Sequence, residues 1–361
     1  MTRISMPAVF TMFLVALVGC ASSPSYEVHA RVTEPIGNIA VSPDGRVFVS
    51  MHQFFETDFR VGEVIRGAGP DDARVTPYPP GAWQKDPAPD RRGLVSVLGI
   101  ACDAQGILWM LDNGLRLKTT PRLVAWDTTS NALHRVIEIP PPASGASMLN
   151  DLAVDRENNS VYVVDMGSAD NPPALIVVDL ASGDCRRVLE SHESVMPEAG
   201  LRMTIDGRTL GAVIGLNPIV LDDESAWLYF GAMSGRSLWR IRTRDLLDTS
   251  LDDRSLGARV QRYADKAISD GVTMDSAGNV YISDLQASGI GVSRPDGAYE
   301  MLFSGPELSW PDAMSVGPDG FIYVAANELH RSAPLNNGVD ATTPPYHVIR
   351  FRPLAPAEVG R

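Results

Sequence analysis

The pattern of apolar and polar positions repeats along this chain. A short apolar strand, a turn rich in Asp, Gly and Asn, and a second strand rich in Val, Ile, Tyr and Trp form one unit that recurs six times. Turn glycines such as Gly45 and Gly320 supply the positive φ that a tight hairpin requires. The pattern predicts six β-hairpins. Their first strands begin near Gly37, Leu98, Leu149, Asn217, Ser269 and Trp310.

Further apolar strands follow most copies, so each unit grows into a four-stranded sheet of roughly fifty to sixty residues. A lone four-stranded sheet cannot bury both faces, and six of them must pack around a centre. A β-sandwich does not explain six copies of one strand–turn–strand unit. We therefore predict an all-β chain folded as a six-bladed β-propeller. Pairing of the strand at residues 26–32 with the last strand, residues 346–351, is expected to close the ring and remove its free edges.

The N-terminal residues predict export. Arg3 precedes an apolar stretch over residues 7–18, which has signal-peptide length and is too short to span a bilayer. It ends in Leu17-Val18-Gly19-Cys20, a lipobox, although an ordinary secretory signal cut near Ala21 gives a similar pattern. We expect residues 1–19 to be a lipoprotein signal peptide, 20–25 a tether lipidated at Cys20, and 26–361 the propeller.

These boundaries predict an exported cell-envelope lipoprotein of the outer membrane, facing the periplasm or the exterior. It would touch the membrane only through its lipid anchor. The net charge of −13 disfavours nucleic acid and anionic membrane surfaces as partners. Cys102 and Cys185 form no metal or redox motif, and we expect a monomer.

Polar residues stand immediately before several predicted innermost strands. Loops entering the innermost strands of a propeller converge on one face of its channel, so these side chains are expected to share an axial volume. Oxygen ligands from several blades suit calcium or magnesium. Alternatively, such residues bond backbone amides and fix blade corners. The residues are Glu34, Asn150, Asp151, Asp270 and Asp312.

Asn327 and His330 follow the inner strands of the sixth copy. A histidine titrates near neutral pH, which makes His330 a candidate general base; Asp270 is the other candidate catalytic residue. The alternative is that His330 simply bonds a nearby loop. We assign Asn327 and His330 to the predicted ligand-binding set together with Asn150, Asp151, Asp270 and Asp312.

The chain resembles the major royal jelly protein and Yellow family, in its bacterial branch, over nearly all of its length after Cys20. The sequence segments that carry this resemblance lie at residues 51–55, 97–100, 111–114, 149–155, 227–231, 310–312 and 327–330. The resemblance implies a six-bladed propeller, secretion and a ligand tunnel near the axis. Animal members bind biogenic amines or sterols, or are linked to dopachrome conversion. In the royal jelly relatives the residue equivalent to Asn327 lies near the bound amine.

A more distant resemblance is to the gluconolactonase and regucalcin propellers, which hold one divalent cation on the axis. What it implies here is a metal set of Glu34, Asn150 and Asp270, with Asn113 as a candidate for a second asparagine that has no clear counterpart in this sequence. Three hypotheses follow. The first is a protein that binds a small aromatic or amine-like ligand in the channel. The second is an enzyme, either a metal-dependent lactonase-like hydrolase or a dopachrome-type isomerase. The third is an envelope scaffold that binds other proteins.

Overall fold

The computed structural model of the chain describes residues 25–84, 86, 92–141 and 147–360. The predicted signal peptide and Cys20 lie outside the described residues. Among the described residues no helix is long and apolar enough to cross a membrane.

The first half of the described chain forms an N-terminal strand and three four-stranded antiparallel sheets, whose strands follow each other in chain order. The N-terminal strand is β1 (Tyr26–Val32). Blade one contains β2 (Ile36–Val41), β3 (Val47–Met51), β4 (Val61–Arg66) and β5 (Ala73–Pro77). Blade two contains β6 (Val97–Cys102), β7 (Ile107–Asp112), β8 (Arg122–Asp127) and β9 (Ala132–Glu138). Blade three contains β10 (Leu149–Asp155), β11 (Ser160–Asp165), β12 (Ala174–Asp179) and β13 (Cys185–Val188).

A small hairpin then precedes the remaining three blades. It consists of β14 (Thr204–Ile205) and β15 (Arg208–Thr209). Blade four contains β16 (Leu216–Leu221), β17 (Trp227–Ala232), β18 (Ser237–Arg242) and β19 (Gln261–Asp265), with the helices α1 (Thr243–Leu247) and α2 (Asp253–Gly257) before β19. Blade five contains β20 (Ser269–Met274), β21 (Val280–Asp284), β22 (Gly289–Ser293) and β23 (Tyr299–Ser304). Blade six contains β24 (Pro311–Val316), β25 (Ile322–Ala326) and β26 (Tyr346–Phe351). Short 3₁₀ turns lie at Gly81–Gln84, Pro306–Leu308, Leu329–Arg331 and Ala333–Leu335.

The ring closes as the sequence predicted. β1 pairs antiparallel with β26, from Tyr26 opposite Phe351 to Val32 opposite Tyr346. β1 is thereby the outermost strand of blade six, in the order β1-β26-β25-β24. The prediction of a six-bladed β-propeller is confirmed, and the pairing leaves no blade without its fourth strand among the described residues.

The hydrophobic core lies between neighbouring blades. Apolar residues of each blade interdigitate with those of the next, and the clusters continue around the whole ring. The innermost strands contact one another in the cyclic order β2, β6, β10, β16, β20, β24. Their starting ends therefore surround one axial opening. Cys102 and Cys185 are both free thiols in this fold.

Candidate functional site

Each of the six innermost strands carries a β-bulge near its beginning. In β2 the pairing with β3 jumps from Ile36 to Ile39, so that Gly37 and Asn38 stand opposite one residue, Ser50. The Ser50 hydroxyl accepts a hydrogen bond from the backbone N–H of Asn38 over 2.9 Å, and this satisfies the displaced backbone. Bulges redirect side chains. The same two-residue bulge recurs, within the described blades, at 98–99, 150–151, 217–218, 270–271 and 312–313.

Glycines in two of these bulges let neighbouring inner strands approach closely. A Cβ at Gly271 would lie 2.3 Å from the Asp312 carbonyl oxygen, and one at Gly99 would lie 2.5 Å from that of Asn150. Both distances are far below van der Waals contact. These glycines therefore bring the polar bulge residues of adjacent blades together at the axis.

The bulges surround a cavity at the mouth of the channel, with about 580 Å³ of empty space including its open end. Its polar wall contains Asn38, Asn150 and the three carboxyls Asp151, Asp270 and Asp312, together with the ring of His52. The remaining wall is mostly apolar. It is formed mainly by Phe54, Leu98, Met148, Met166, Ile214, Met233, Trp310, Leu329 and Leu335.

A chain of hydrogen bonds links four blades around the cavity. The side-chain amide of Asn150 donates to Asn217 Oδ1, and the side-chain amide of Asn217 donates to Asp270 Oδ1. On the other side, the indole N–H of Trp310 donates to Asp270 Oδ2 over 2.8 Å. Both oxygens of Asp270 are therefore engaged by neutral donors.

The other two carboxyls are only half satisfied. Asp151 Oδ1 accepts hydrogen bonds from the backbone N–H of Leu152 at 2.9 Å and from the side-chain amide of Asn38 at 3.2 Å. Asp312 Oδ2 accepts the side-chain amide of Asn327 at 2.7 Å. Among the described residues no donor reaches Asp151 Oδ2 or Asp312 Oδ1. Each carboxyl thus keeps one oxygen available to a ligand in the cavity.

Burial shifts the titration of all three carboxyls in the same direction. It raises the pKa of Asp151 to about 7, with the charge of Asp312 adding to the effect. It raises the pKa of Asp312 to about 6, against the lowering effect of the Asn327 hydrogen bond. Burial and the charge of Asp312 also raise the pKa of Asp270 well above its ordinary value. Desolvation and like-charge repulsion both disfavour the ionised form.

Two histidines lie at different depths around the site. His52 lines the cavity, and its Nδ1 accepts the Phe54 amide at 3.2 Å. Burial lowers the pKa of His52 to about 3, so the ring is neutral. His330 lies behind the wall, where it stacks on Trp310 at 6.1 Å between ring centroids and contacts Asp206 Oδ2 at 3.1 Å through Nε2. Burial lowers the pKa of His330 as well.

The structure brings Asn150, Asp151, Asp270 and Asp312 to one cavity. Asn327 and His330 support the wall from outside through Asp312 and Trp310. Glu34 lies in the turn before β2 and is outside the cavity lining, where blade one instead presents Asn38. Asn38 and Asn217 also belong to the site and were not predicted from the sequence. Their position along the repeat could have identified them, because each stands one or two residues before an Ile at the start of an inner strand.

A divalent cation does not fit the residues present well. Within the described part of the chain, no three His, Cys, Asp or Glu side chains lie close enough together to hold a metal ion. Glu34 does not reach Asn150 and Asp270, and the Asp270 oxygens already accept hydrogen bonds.

Comparison with known proteins places the chain in a family. The sequence model of the family described as "Major royal jelly protein" matches residues 95–343, which is more than half of the chain. The chain belongs to the major royal jelly protein family. It is 27% identical over 213 residues to major royal jelly protein 1 of Apis mellifera, covering 55% of this chain and 48% of that protein. Major royal jelly protein 7 of Apis mellifera is 24% identical over 223 residues, covering 58% of this chain and 49% of that protein. The chain thus spans about half the length of the curated relatives it matches.

Solved structures share the propeller fold at low sequence identity. A luciferin-regenerating enzyme matches with a TM-score of 0.58 and 13% identity, over 93% of this chain and 98% of that one. The PQQ-bound aldose sugar dehydrogenase of Streptomyces coelicolor matches with a TM-score of 0.55 and 11% identity, over 91% and 98%. Virginiamycin B lyase of Staphylococcus aureus, solved with quinupristin, matches with a TM-score of 0.53 and 12% identity, over 92% and 99%. At such identity the similarity shows the fold alone.

Proposed function

We propose that this protein binds a small, positively charged organic molecule with an aromatic or apolar body, such as a protonated aromatic amine, in the axial cavity. The observation that carries the proposal is the set of three carboxyls that line a largely apolar cavity: Asp270 and Asp312 are buried, and Asp151 is half-buried. No Lys or Arg side chain is among the described lining residues.

The charge of the cavity favours a cation. A buried carboxylate without a partner is costly, and it either takes up a proton or binds an opposite charge. The Asp151 and Asp312 oxygens that accept no hydrogen bond are positioned for the N–H groups of an ammonium ion.

The remaining wall favours an apolar body on the same ligand. The apolar part of the lining includes Phe54, Met148, Met166 and Trp310. Thioether and aromatic side chains adapt to flat, polarisable groups, and methionine sulfur contacts aromatic rings favourably. A simple inorganic cation would leave this surface unused.

The test is binding of three matched probes to the purified full chain. Phenethylamine is a cation at neutral pH, phenylethanol is its neutral analogue, and phenylacetate is an anion of similar shape. We expect only phenethylamine to raise the unfolding temperature, by mass action on the folded state. A comparable shift with phenylethanol would overturn the assignment of the carboxyls.

Variants sharpen this test. Asp151→Asn and Asp312→Asn should each weaken phenethylamine binding measured by calorimetry. The control Asp296→Asn changes an exposed turn residue and should not. Elemental analysis and a parallel arm with calcium, magnesium or a chelator test the cation predicted from the sequence. If the chelator abolished binding, a metal-dependent site would replace the one proposed.

One observation favours a second candidate function, an isomerase that moves a proton on a bound ligand. The pKa of Asp151 is raised to about 7, which suits a general acid or base at neutral pH. Asp151→Asn would then abolish turnover of a bound catechol-type substrate while a cationic product analogue still bound to the remaining carboxyls. Binding without turnover in the unsubstituted protein would leave only the binding function.

A further inference from the structure

A small hairpin packs on the apolar wall of the axial cavity. β14 and β15 are joined by Asp206 and Gly207, which have φ values of 51° and 74°. Two consecutive positive φ values are typical of the tight type I′ hairpin turn. The hairpin follows the outermost strand of blade three and precedes the innermost strand of blade four, so it projects from the face on which the bulges lie.

The underside of the hairpin packs on the wall of the cavity. Its Met203, Ile205 and Leu210 are buried at 2% exposure or less. They form one apolar cluster with Met233, Trp310 and Leu329, and Ile214 and Leu335 pack against the same cluster. Five residues of this cluster also line the cavity: Ile214, Met233, Trp310, Leu329 and Leu335. The hairpin therefore covers these lining residues from outside, and we call it the roof of the cavity, although its own residues are not part of the described lining.

The tip of the hairpin reaches across the ring to blade six. Asp206 contacts His330 Nε2 at 3.1 Å and pairs with Arg331 at 2.9 Å. Arg208 donates to the carbonyl oxygens of Leu335, at 3.1 Å, and His330. Together these contacts fasten the hairpin to the segment between β25 and β26.

The tip of the roof is held by exposed polar contacts, whereas its apolar underside is buried. The side chains of Asp206 and Arg331 are 54% and 36% exposed, and ion pairs of this kind contribute little to stability. An isolated two-stranded hairpin is marginally stable in water. Gly200 and Gly211 flank it, and open space surrounds the position of a Cβ at either glycine. Such a segment opens more easily than the blades beneath it.

We propose that residues 201–210 are a lid that swings on Gly200 and Gly211, that Asp206 and Arg208 latch it to blade six, and that ligands enter the cavity when it opens. This extends the proposed function by an entry route, and it holds for any ligand of that cavity. Trp310 lies beneath the lid and beside Asp270, so lid and site share one side chain.

The lid is tested by the reactivity of a thiol placed beneath it. In the full chain with Cys20→Ser, Cys102→Ala and Cys185→Ser, Met148→Cys places one thiol in the cavity. Its rate of modification is measured with a cationic and an anionic methanethiosulfonate reagent. A matched control carries Leu133→Cys instead, on the exposed face of β9.

Two latch variants are then introduced into both backgrounds. Asp206→Gly keeps the positive φ of the turn and removes the contacts to His330 and Arg331, and Arg208→Ala removes those to Leu335 and His330. We expect each to accelerate modification at position 148 by roughly tenfold, in proportion to the open population. The rate at position 133 should not change. Thermal unfolding of each variant confirms that the blades remain folded.

The outcomes separate the lid from the proposed function. Unchanged rates at position 148 in both latch variants would overturn the lid. A rate with the cationic reagent no greater than with the anionic one would instead overturn the cation site, whatever the lid does. Acceleration by both latch variants together with a cation preference supports both.

Discussion

The indole N–H of Trp310 donates to Asp270 Oδ2 over 2.8 Å from a residue whose own backbone is left-handed, with φ of 55°. A bulky side chain rarely adopts this conformation, and non-glycine residues that do so cluster at functional sites. The strained residue places a donor on a buried carboxyl and a ring on the cavity wall. Trp310 therefore connects the backbone geometry of blade six to the charge of the site.

Trp310→Phe removes this donor while keeping an aromatic ring. The lost hydrogen bond leaves a buried acceptor unsatisfied, and we expect a loss of about 1–3 kcal/mol in the free energy of unfolding. The pKa of Asp270 should rise further, because this bond holds it down. Phenethylamine should then bind more weakly at neutral pH, as measured by calorimetry.

Trp109→Phe is a matched control for this change. Trp109 is fully buried and donates to Asp103 Oδ2 over 2.9 Å, away from the cavity. Both variants should lose similar stability, and only Trp310→Phe should lose affinity. Equal loss of affinity in the two variants would show that the effect reflects general destabilisation.

Asp151→Asn is expected to change how stability depends on pH. The pKa of Asp151 is raised from 3.8 to about 7, so between these values the folded state holds a proton that the unfolded state has released. Stability of the ligand-free protein therefore falls as pH rises through this window. At pH 8 the variant should be more stable than the parent by roughly 1–3 kcal/mol, and near pH 4 the two should be equal. Urea unfolding at several pH values measures this difference, and a variant less stable than the parent at pH 8 would contradict it.

Binding of a cation should release protons. Near neutral pH, Asp151 and Asp312 are partly protonated, because their pKa values are about 7 and 6. An ammonium ion beside them favours the ionised forms, so phenethylamine should bind more tightly as pH rises from about 5 to about 8. Calorimetry in phosphate and Tris buffers, which differ in ionisation enthalpy, counts the protons released. The Asp151→Asn variant should release fewer protons on binding than the parent protein does. Proton uptake by the parent on binding would exclude the predicted charge pairing.

The fold followed from the sequence because its determinants are local. A hairpin turn needs a residue such as Gly45 or Gly320, and the flanking alternation of apolar residues is visible in one strand at a time. Ring closure by β1 and β26 could also be predicted, since one unpaired strand remained at each end of the repeats. No long-range geometry was needed for either inference.

The site depended on features that a linear pattern does not show. Asn150, Asp270 and Asp312, which were predicted from their position at the start of an inner strand, all line one cavity. The bulge, however, lies inside the strand, and this places Asn38 rather than Glu34 on the axis. Likewise, the reach of the hairpin at residues 201–210 across to blade six depends on tertiary packing of Ile205 that no local motif encodes.

Gly271→Ala should perturb the site through the backbone alone. The new Cβ would lie 2.3 Å from the Asp312 carbonyl oxygen, and Gly271 has no positive φ, so the clash is the only cause of strain. Relief requires β20 and β24 to separate, which moves Asp270 and Asp312 apart. We expect a loss of about 1–3 kcal/mol in the free energy of unfolding, as for other overpacked interiors, together with weaker binding of phenethylamine. Gly69→Ala is the control, because its Cβ would meet nothing within 4 Å. Urea unfolding and calorimetry on both variants measure the two effects, and a Gly271→Ala protein as stable as the control would show that the inner strands are not held in contact by this glycine.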